Sequence, residues 1–360
     1  HLSIRRQRQM CIRDRFDMSM RAAVYLGNKS IAVQNVPVPQ PGAGEVLIKV
    51  SGCGVCATDV HIFHGFAEGV KPPVALGHEI GGVVEQLGSG VDEFTMGTKV
   101  AIDPTVTCGT CKYCRADHSS LCEQPTIIGY SRWGGFAQYC VAPKDHVYAM
   151  SENASVGAGV LAETLACVLT GFDKLDIKPH SNVLLVGAGT VGLLWNNMVK
   201  NVAGGSLVQV ELVKQRADRA KRLGANAAYV VDNPDARRAF SKKYSGGFDF
   251  VIDCAGTGES MQFALEQVCK GGILMCFGVC DESDRVTFSP QRLLWDEISI
   301  FTAKMTGGNL ARAVQLVESD AIAVDDIVTN AYSLEDLVDC IGRFESHRES
   351  EVKMVIDPHK

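Results

Sequence analysis

The sequence predicts an α/β protein in two parts: a β-rich domain and a doubly wound domain built on a parallel sheet. Three observations lead there. From Met20 to about Met150 the chain runs in short apolar or alternating stretches broken by Gly, Pro and Asn. Beyond Val156, strand-like stretches alternate with helical ones, the rhythm of a parallel sheet covered on both faces. A Gly-rich turn joins the first of those strands to the first of those helices. A length of 360 residues is too long for one ordinary core and fits two domains. The expected bounds are 18–160 with 301–360 for the β-rich part, and 161–300 for the other.

The elements follow in order. Ala22–Tyr25, Glu45–Val50, Ile80–Gln86, Lys99–Ile102 and Ala137–Val141 read as strands with long loops between them. In the second part, strands are expected at Asn182–Val186, Ser206–Glu211, Ala228–Val231, Phe248–Asp253, Ile273–Phe277 and Ile298–Thr302. The intervening helices are Gln215–Leu223, Pro234–Tyr244 and Gly258–Cys269, with Leu310–Glu318 and Leu334–Ser346 after the last strand. Glu351–Ile356 reads as a final strand returning to the β-rich domain. Asn196 and Asn197 are polar choices in a helix that packs on the sheet, and are expected at an exposed subunit contact.

Composition narrows the function. The chain is 46% hydrophobic, which rules out a disordered protein, and its net charge of −6 argues against a nucleic-acid partner. No apolar run is long enough for a membrane span, so no membrane is expected. Fourteen cysteines in a long chain point to metal-bound or structural thiols in a reducing, cytoplasmic setting rather than to disulfides. Residues 1–17 stand apart: five Arg, two Asp and no apolar period. This stretch is read as a non-native leader resembling translated adaptor sequence, with a start at Met18 or Met20.

Two motifs carry chemistry on their own. Gly187-Ala188-Gly189-Thr190-Val191-Gly192 follows a strand and opens a helix, as in a dinucleotide-binding turn. The first Gly permits the tight turn, the second lets backbone N–H groups approach a pyrophosphate, and the third allows close packing. Glu211 ends the next strand, where a carboxylate accepts ribose hydroxyls and repels a 2′-phosphate, favouring NAD over NADP. Lys214 and Arg216 just beyond it could tolerate a phosphate. Cys108, Cys111, Cys114 and Cys122 give a C-x2-C-x2-C-x7-C run that can close a tetrahedral, structural zinc site. Disulfides and an iron–sulfur cluster are the alternatives for that spacing.

Two further fragments, Cys56-Ala57-Thr58-Asp59-Val60-His61 and Gly77-His78-Glu79-Ile80-Gly81-Gly82 running on to Gly88 and Val91, complete a pattern. Together with the two motifs they resemble the zinc-dependent medium-chain alcohol dehydrogenase family, from Met20 to about Pro358. The polyol (sorbitol, arabinitol, altritol) and threonine branch matches best. The resemblance implies a GroES-like fold for the β-rich catalytic domain and a Rossmann fold for the other. It implies two Zn²⁺ per subunit, NAD, an alcohol or polyol substrate and a homodimer or homotetramer.

The resemblance makes Cys56 and His78 catalytic zinc ligands, with Glu163 as the third, directly or through water; Thr164 stands where that branch has Pro. Cys167 competes with Glu163 but reads as a core thiol. Glu79 is expected behind or beside the metal, and Asp59 is expected to orient His78. Phe277 and Val279 are placed beside the nicotinamide, Asp253–Gly256 near the cofactor, and Lys353 within reach of the pyrophosphate. Zinc acidifies the alcohol, hydride passes to the nicotinamide, and Thr58 passes the proton through the cofactor ribose to His61. Pro104–Cys108 and Ile128–Trp133, with Ser131 and Arg132 as polar contacts, are candidate pocket walls. A threonine-type or simple alcohol dehydrogenase is the enzymatic alternative. A binding protein that has lost catalysis is the other, marked by loss of a catalytic ligand.

Overall fold

The computed structural model describes residues 19–66, 69–202, 205–346 and 351–360; the leader expected at 1–17 lies outside the described residues. In the β-rich half a seven-stranded sheet runs in the order Val147–Ala149, Lys99–Ile102, Glu79–Leu87, Glu45–Gly54, Lys353–Ile356 and Val328–Tyr332, with Tyr139–Pro143 pairing beside Glu45–Gly54. A three-stranded sheet (Ser30–Pro37, Ser19–Gly27, Val74–Ala75) packs with it. The last strand, Lys353–Ile356, pairs antiparallel with Cys53 and Gly54, so the chain end closes this half.

The other half is a six-stranded sheet in the order Ala227–Val230, Leu207–Glu211, Val183–Val186, Phe248–Asp253, Val268–Cys276 and Ser299–Thr302, parallel throughout. The chain reverses direction beside Val183–Val186, and the Gly turn leaves the carboxyl end of that strand. Crevices at such switch points bind ligands. Gly187 holds a φ of +97°, which a side chain rarely adopts. A Cβ at Gly192 would come within 2.2 Å of the Gly187 carbonyl oxygen. The third glycine is therefore required by close packing.

A helix of seventeen residues, Val156–Phe172, had no counterpart in the sequence reading. Its residues are apolar nearly all round, so its pattern carries no amphipathic stripe. Ser155 caps it by accepting from the Ala158 amide at 3.1 Å. It packs on the strands Glu45–Gly54 and Glu79–Leu87 and on the helices Thr190–Val202 and Leu310–Val317, joining the two halves in one core.

Three expectations need correction. The helix expected at Gly258–Cys269 ends at Glu266, because Val268 already pairs with Phe248 in the sheet. The helix expected from Leu334 starts at Leu337, because Ser333 and Asp336 close a local turn through bonds of 2.7 and 2.9 Å. Asn196 and Asn197 are fully buried, not exposed. Asn196 Nδ2 donates to Gln209 Oε1 and the Ala220 carbonyl, and Asn197 Oδ1 accepts from the Ala323 amide at 2.8 Å. Polar residues are tolerated inside when such bonds offset their desolvation.

Next to them, Trp195 is the largest fully buried side chain, in contact with the rings of Phe172 and Phe277. Trp195→Ala is expected to cost about 3–5 kcal/mol of stability, read as a lowered unfolding midpoint in urea. An unchanged midpoint would show that this cluster does not join the halves.

Candidate active site and metal centres

The helix Ala57–His64 begins at Cys56, whose backbone is extended, while the Asp59 carboxylate accepts the Cys56 amide at 2.9 Å. This cap sets the Cys56 thiol at the amino-terminal end of the helix, facing the His78 loop. Asp59 also accepts from the Gly77 amide at 3.3 Å, and its Oδ1 lies 3.6 Å from His78 Nδ1. One buried carboxylate thus holds both the Cys56 turn and the His78 loop. His78 Nδ1 is buried without a hydrogen-bond partner. Burial works against charging His78, but Asp59 and Cys56 outweigh it, and its pKa stands well above the usual imidazole value.

Ligand atoms of Cys56, His78 and Glu79 lie within 4.8 Å of one another, while Glu163 is outside that group. The donor set, a thiolate, an imidazole and a carboxylate, suits zinc with an open position. Glu163 stands on the long helix, where burial, with Glu79 and Asp103 adding to it, pushes its carboxyl up to about 7 against the pull of His78. It accepts from the Cys167 thiol at 3.5 Å. Burial raises the Cys167 thiol well above its ordinary range; it bonds Glu163 and lies outside the Cys56, His78 and Glu79 group.

Glu79 is fully buried and fully engaged. Oε1 accepts from Thr164 Oγ1 and Lys353 Nζ at 2.7 Å each, and Oε2 from Lys353 Nζ at 2.6 Å. Burial pushes this carboxyl up, but Lys353 and His78 bring it below its ordinary value. Lys353 is correspondingly raised by Glu79 against the cost of its own burial. The placement of Lys353 differs from the sequence expectation of a pyrophosphate contact: its ammonium turns inward to Glu79 and the Val55 carbonyl. An unpaired carboxylate at that depth would be far costlier than a lost surface contact. Thr164, passed over as a substituted Pro, holds the same carboxylate; only tertiary contact reveals that role.

Thr58 Oγ1 lies 3.9 Å from Cys56 Sγ, and His61, one helical turn on, is partly exposed. At the glycine turn, Glu211 Oε2 accepts from the Ala188 amide at 2.6 Å, and Oε1 from the Leu212 and Val213 amides. Thr190 Oγ1 donates to the Val352 carbonyl and Arg216 to the Glu351 carbonyl, so the segment before the last strand is moored to this turn. Val191 is half-buried beside them. Phe277 packs edge-on to Trp195, while Val279 is 71% exposed at the end of the same strand–loop. Of the expected pocket residues, Arg132 pairs with Glu45 at 2.8 Å and Ser131 bonds the Ile127 amide, so neither is free for substrate.

The four-cysteine loop is compact. Cys111 and Cys114 sulfurs are 3.5 Å apart and those of Cys108 and Cys114 3.9 Å, far from disulfide length. Tetrahedral zinc with Zn–S near 2.3 Å requires sulfurs about 3.8 Å apart. The Thr110 and Cys111 amides lower the Cys108 thiol to about 6, while burial and neighbouring thiols push Cys114 up to about 11.

Comparison with known proteins agrees with this geometry. The family profiles "Alcohol dehydrogenase GroES-like domain" and "Zinc-binding dehydrogenase" match residues 42–152 and 190–319. D-arabinitol dehydrogenase 1 of Uromyces fabae is 31% identical over 333 residues, covering 91% of this chain and 95% of that one. The chain belongs to the zinc-binding alcohol dehydrogenase family. Within the family, sorbitol dehydrogenase of Bacillus subtilis is 27% identical, covering 95% of this chain and 98% of that one. A zinc-binding dehydrogenase of Sinorhizobium meliloti, solved with NADP bound, superposes with a TM-score of 0.90 at 31% identity, covering 95% of this chain and all of that one. The chain therefore offers two thiol-bearing clusters that could hold a metal, one drawn from three segments and one from a single loop.

Lys353→Met is expected to lower stability by about 3–5 kcal/mol, because it strands a buried carboxylate. Adding Glu79→Gln should recover part of that loss. Thermal unfolding of both variants checks it, and equal melting of Lys353→Met and the wild type contradicts it.

Proposed function

We propose that this protein is a zinc-dependent dehydrogenase that oxidises a secondary alcohol of a sugar alcohol, with NAD as hydride acceptor. The observation that carries the reading is the Cys56, His78 and Glu79 cluster, with Glu163 beside it on the long helix. Cys56 and His78 hold the metal with Glu163, directly or through water, while Glu79, engaged by Lys353 and Thr164, stands beside it. When bound, zinc supplies the Lewis acidity that lowers the alcohol's pKa, and NAD supplies the hydride acceptor. Thr58 receives the hydroxyl proton, and His61, on the adjacent turn of the same helix, hands it to solvent. Buried Asp59 orients His78. Cys108, Cys111, Cys114 and Cys122 hold a second zinc that cross-links their loop.

Named relatives act on D-arabinitol, sorbitol and D-altritol, which supports a polyol substrate. Threonine dehydrogenases are also relatives at 28% identity; their reading asks for an arginine in the cleft to hold a carboxylate, and Arg132, the arginine among the expected pocket residues, pairs with Glu45. Glu211 favours NAD, since an acidic residue at the end of this strand accepts ribose hydroxyls and repels a 2′-phosphate. Among the described residues thirteen cysteines form no disulfide, which supports a reducing, cytoplasmic setting; no helix there is long and apolar enough to cross a membrane. A homodimer or homotetramer is favoured by the exposed edge strand Ser299–Thr302, flanked by exposed Phe288, Leu294, Trp295, Ile300 and Phe301.

A panel of pentitols, hexitols, L-threonine and primary alcohols with NAD and NADP is expected to show turnover on polyols with NAD. Cys56→Ser should remove that turnover while NAD binding survives. Activity confined to primary alcohols would reject the polyol reading, and full turnover in Cys56→Ser would reject the zinc mechanism. Phe301→Lys is expected to shift sedimentation toward the monomer; an unchanged oligomer excludes this edge as its contact.

A further inference from the structure

Two polar side chains buried in the nucleotide domain take no part in the chemistry above. Gln209 lies midway along the strand Leu207–Glu211 and is fully buried, at a position where an apolar residue would pack without desolvation cost. Its Nε2 donates to the Gly187 carbonyl at 2.8 Å and to the Gly192 carbonyl at 3.1 Å, the two ends of the glycine turn. Its Oε1 accepts at 2.7 Å from Asn196 Nδ2, which also donates at 2.9 Å to the Ala220 carbonyl on the helix Lys214–Leu223. Two residues further along the same strand, on the same face, Glu211 accepts the Ala188 amide at 2.6 Å. The strand therefore grips the turn on both its carbonyls and one of its amides.

Gly187, in the left-handed region ahead of the helix Thr190–Val202, has a permissive backbone whose peptide plane no helical bond holds, whereas Gly192 already lies in the first turn of that helix. A plane that rotated would aim a carbonyl dipole, rather than an N–H, at an anion above it. We propose that Gln209 and Asn196 are positioning residues for dinucleotide binding, holding the Gly187 and Gly192 carbonyls toward the domain interior so that the turn presents N–H groups to the pyrophosphate. The inference rests on the reading of this turn as the cofactor site, and it accounts for the polar residues that the helix and strand carry inside.

The test is Gln209→Met, which keeps the shape and removes both donors and the acceptor. In the zinc-loaded full chain, fluorescence titration should show NADH and ADP-ribose weakened by about ten-fold, the loss expected for two hydrogen bonds. The kcat at saturating NAD should change by less than about two-fold. Amide hydrogen exchange in the cofactor-free protein should quicken at Ala188–Val191 and not across the sheet. Asn196→Leu, which leaves Gln209 in place without its support, should weaken both ligands by a smaller factor. Unchanged NADH affinity together with unchanged exchange in the turn overturns the proposal. So does faster exchange throughout the domain with a matching drop in melting temperature, which marks a purely structural role. A wild type that binds neither NADH nor ADP-ribose overturns the cofactor reading, and this inference with it.

Discussion

The buried carboxylate of Glu79 is the constraint on which the rest of the structure depends. Three segments distant in sequence meet on it: the strand that begins at Glu79, the long helix through Thr164, and the last strand through Lys353. A buried carboxylate without its partners carries a penalty of several kcal/mol, so the meeting of the three is strongly selected. The His78 loop immediately precedes Glu79, and Cys56 is tied to that loop by Asp59. The ligand geometry is thus a consequence of where the carboxylate is compensated. The segment just before Lys353 bonds Thr190 and Arg216 at the glycine turn. One short stretch of chain therefore places the metal site and the cofactor turn relative to each other.

The two metal centres differ for physical reasons visible in their surroundings. The four-cysteine loop is half-exposed and closed on itself, with sulfur spacings that leave no position open. Its ligands come from one loop, so it can order that loop without reference to the rest of the fold. The Cys56, His78 and Glu79 cluster is drawn from a helix cap, a loop and a strand; beside it burial raises Glu163, while Asp59 and Cys56 raise His78 against the cost of its burial. The cluster's ligand atoms are brought together only by the fold, through the bonds of Asp59 and Glu79.

Much of this was legible in the sequence because it is local. The four-cysteine spacing, the Gly187–Gly192 turn, the alternation of strands and helices beyond Val156, and the strand bounds such as Phe248–Asp253 all depend on neighbours a few residues away. The helix Val156–Phe172 was not legible, since a helix buried on all sides shows no stripe. The helix boundaries at Glu266 and Leu337 were set by sheet pairing and by a side-chain turn, which outweigh local propensity.

What the sequence by itself determined is therefore the chemistry available: which thiols, imidazoles, carboxylates and glycines exist, and in what local spacing. Tertiary structure decided what each one does. It turned Lys353 from the expected pyrophosphate contact to the partner of Glu79, and gave Thr164 a carboxylate to hold. It moved Asn196 and Asn197 from an expected surface into the core and spent Arg132 on Glu45. The reason is common to all four. A polar side chain is committed by whichever partner offsets its desolvation, and that partner is usually far away in the chain.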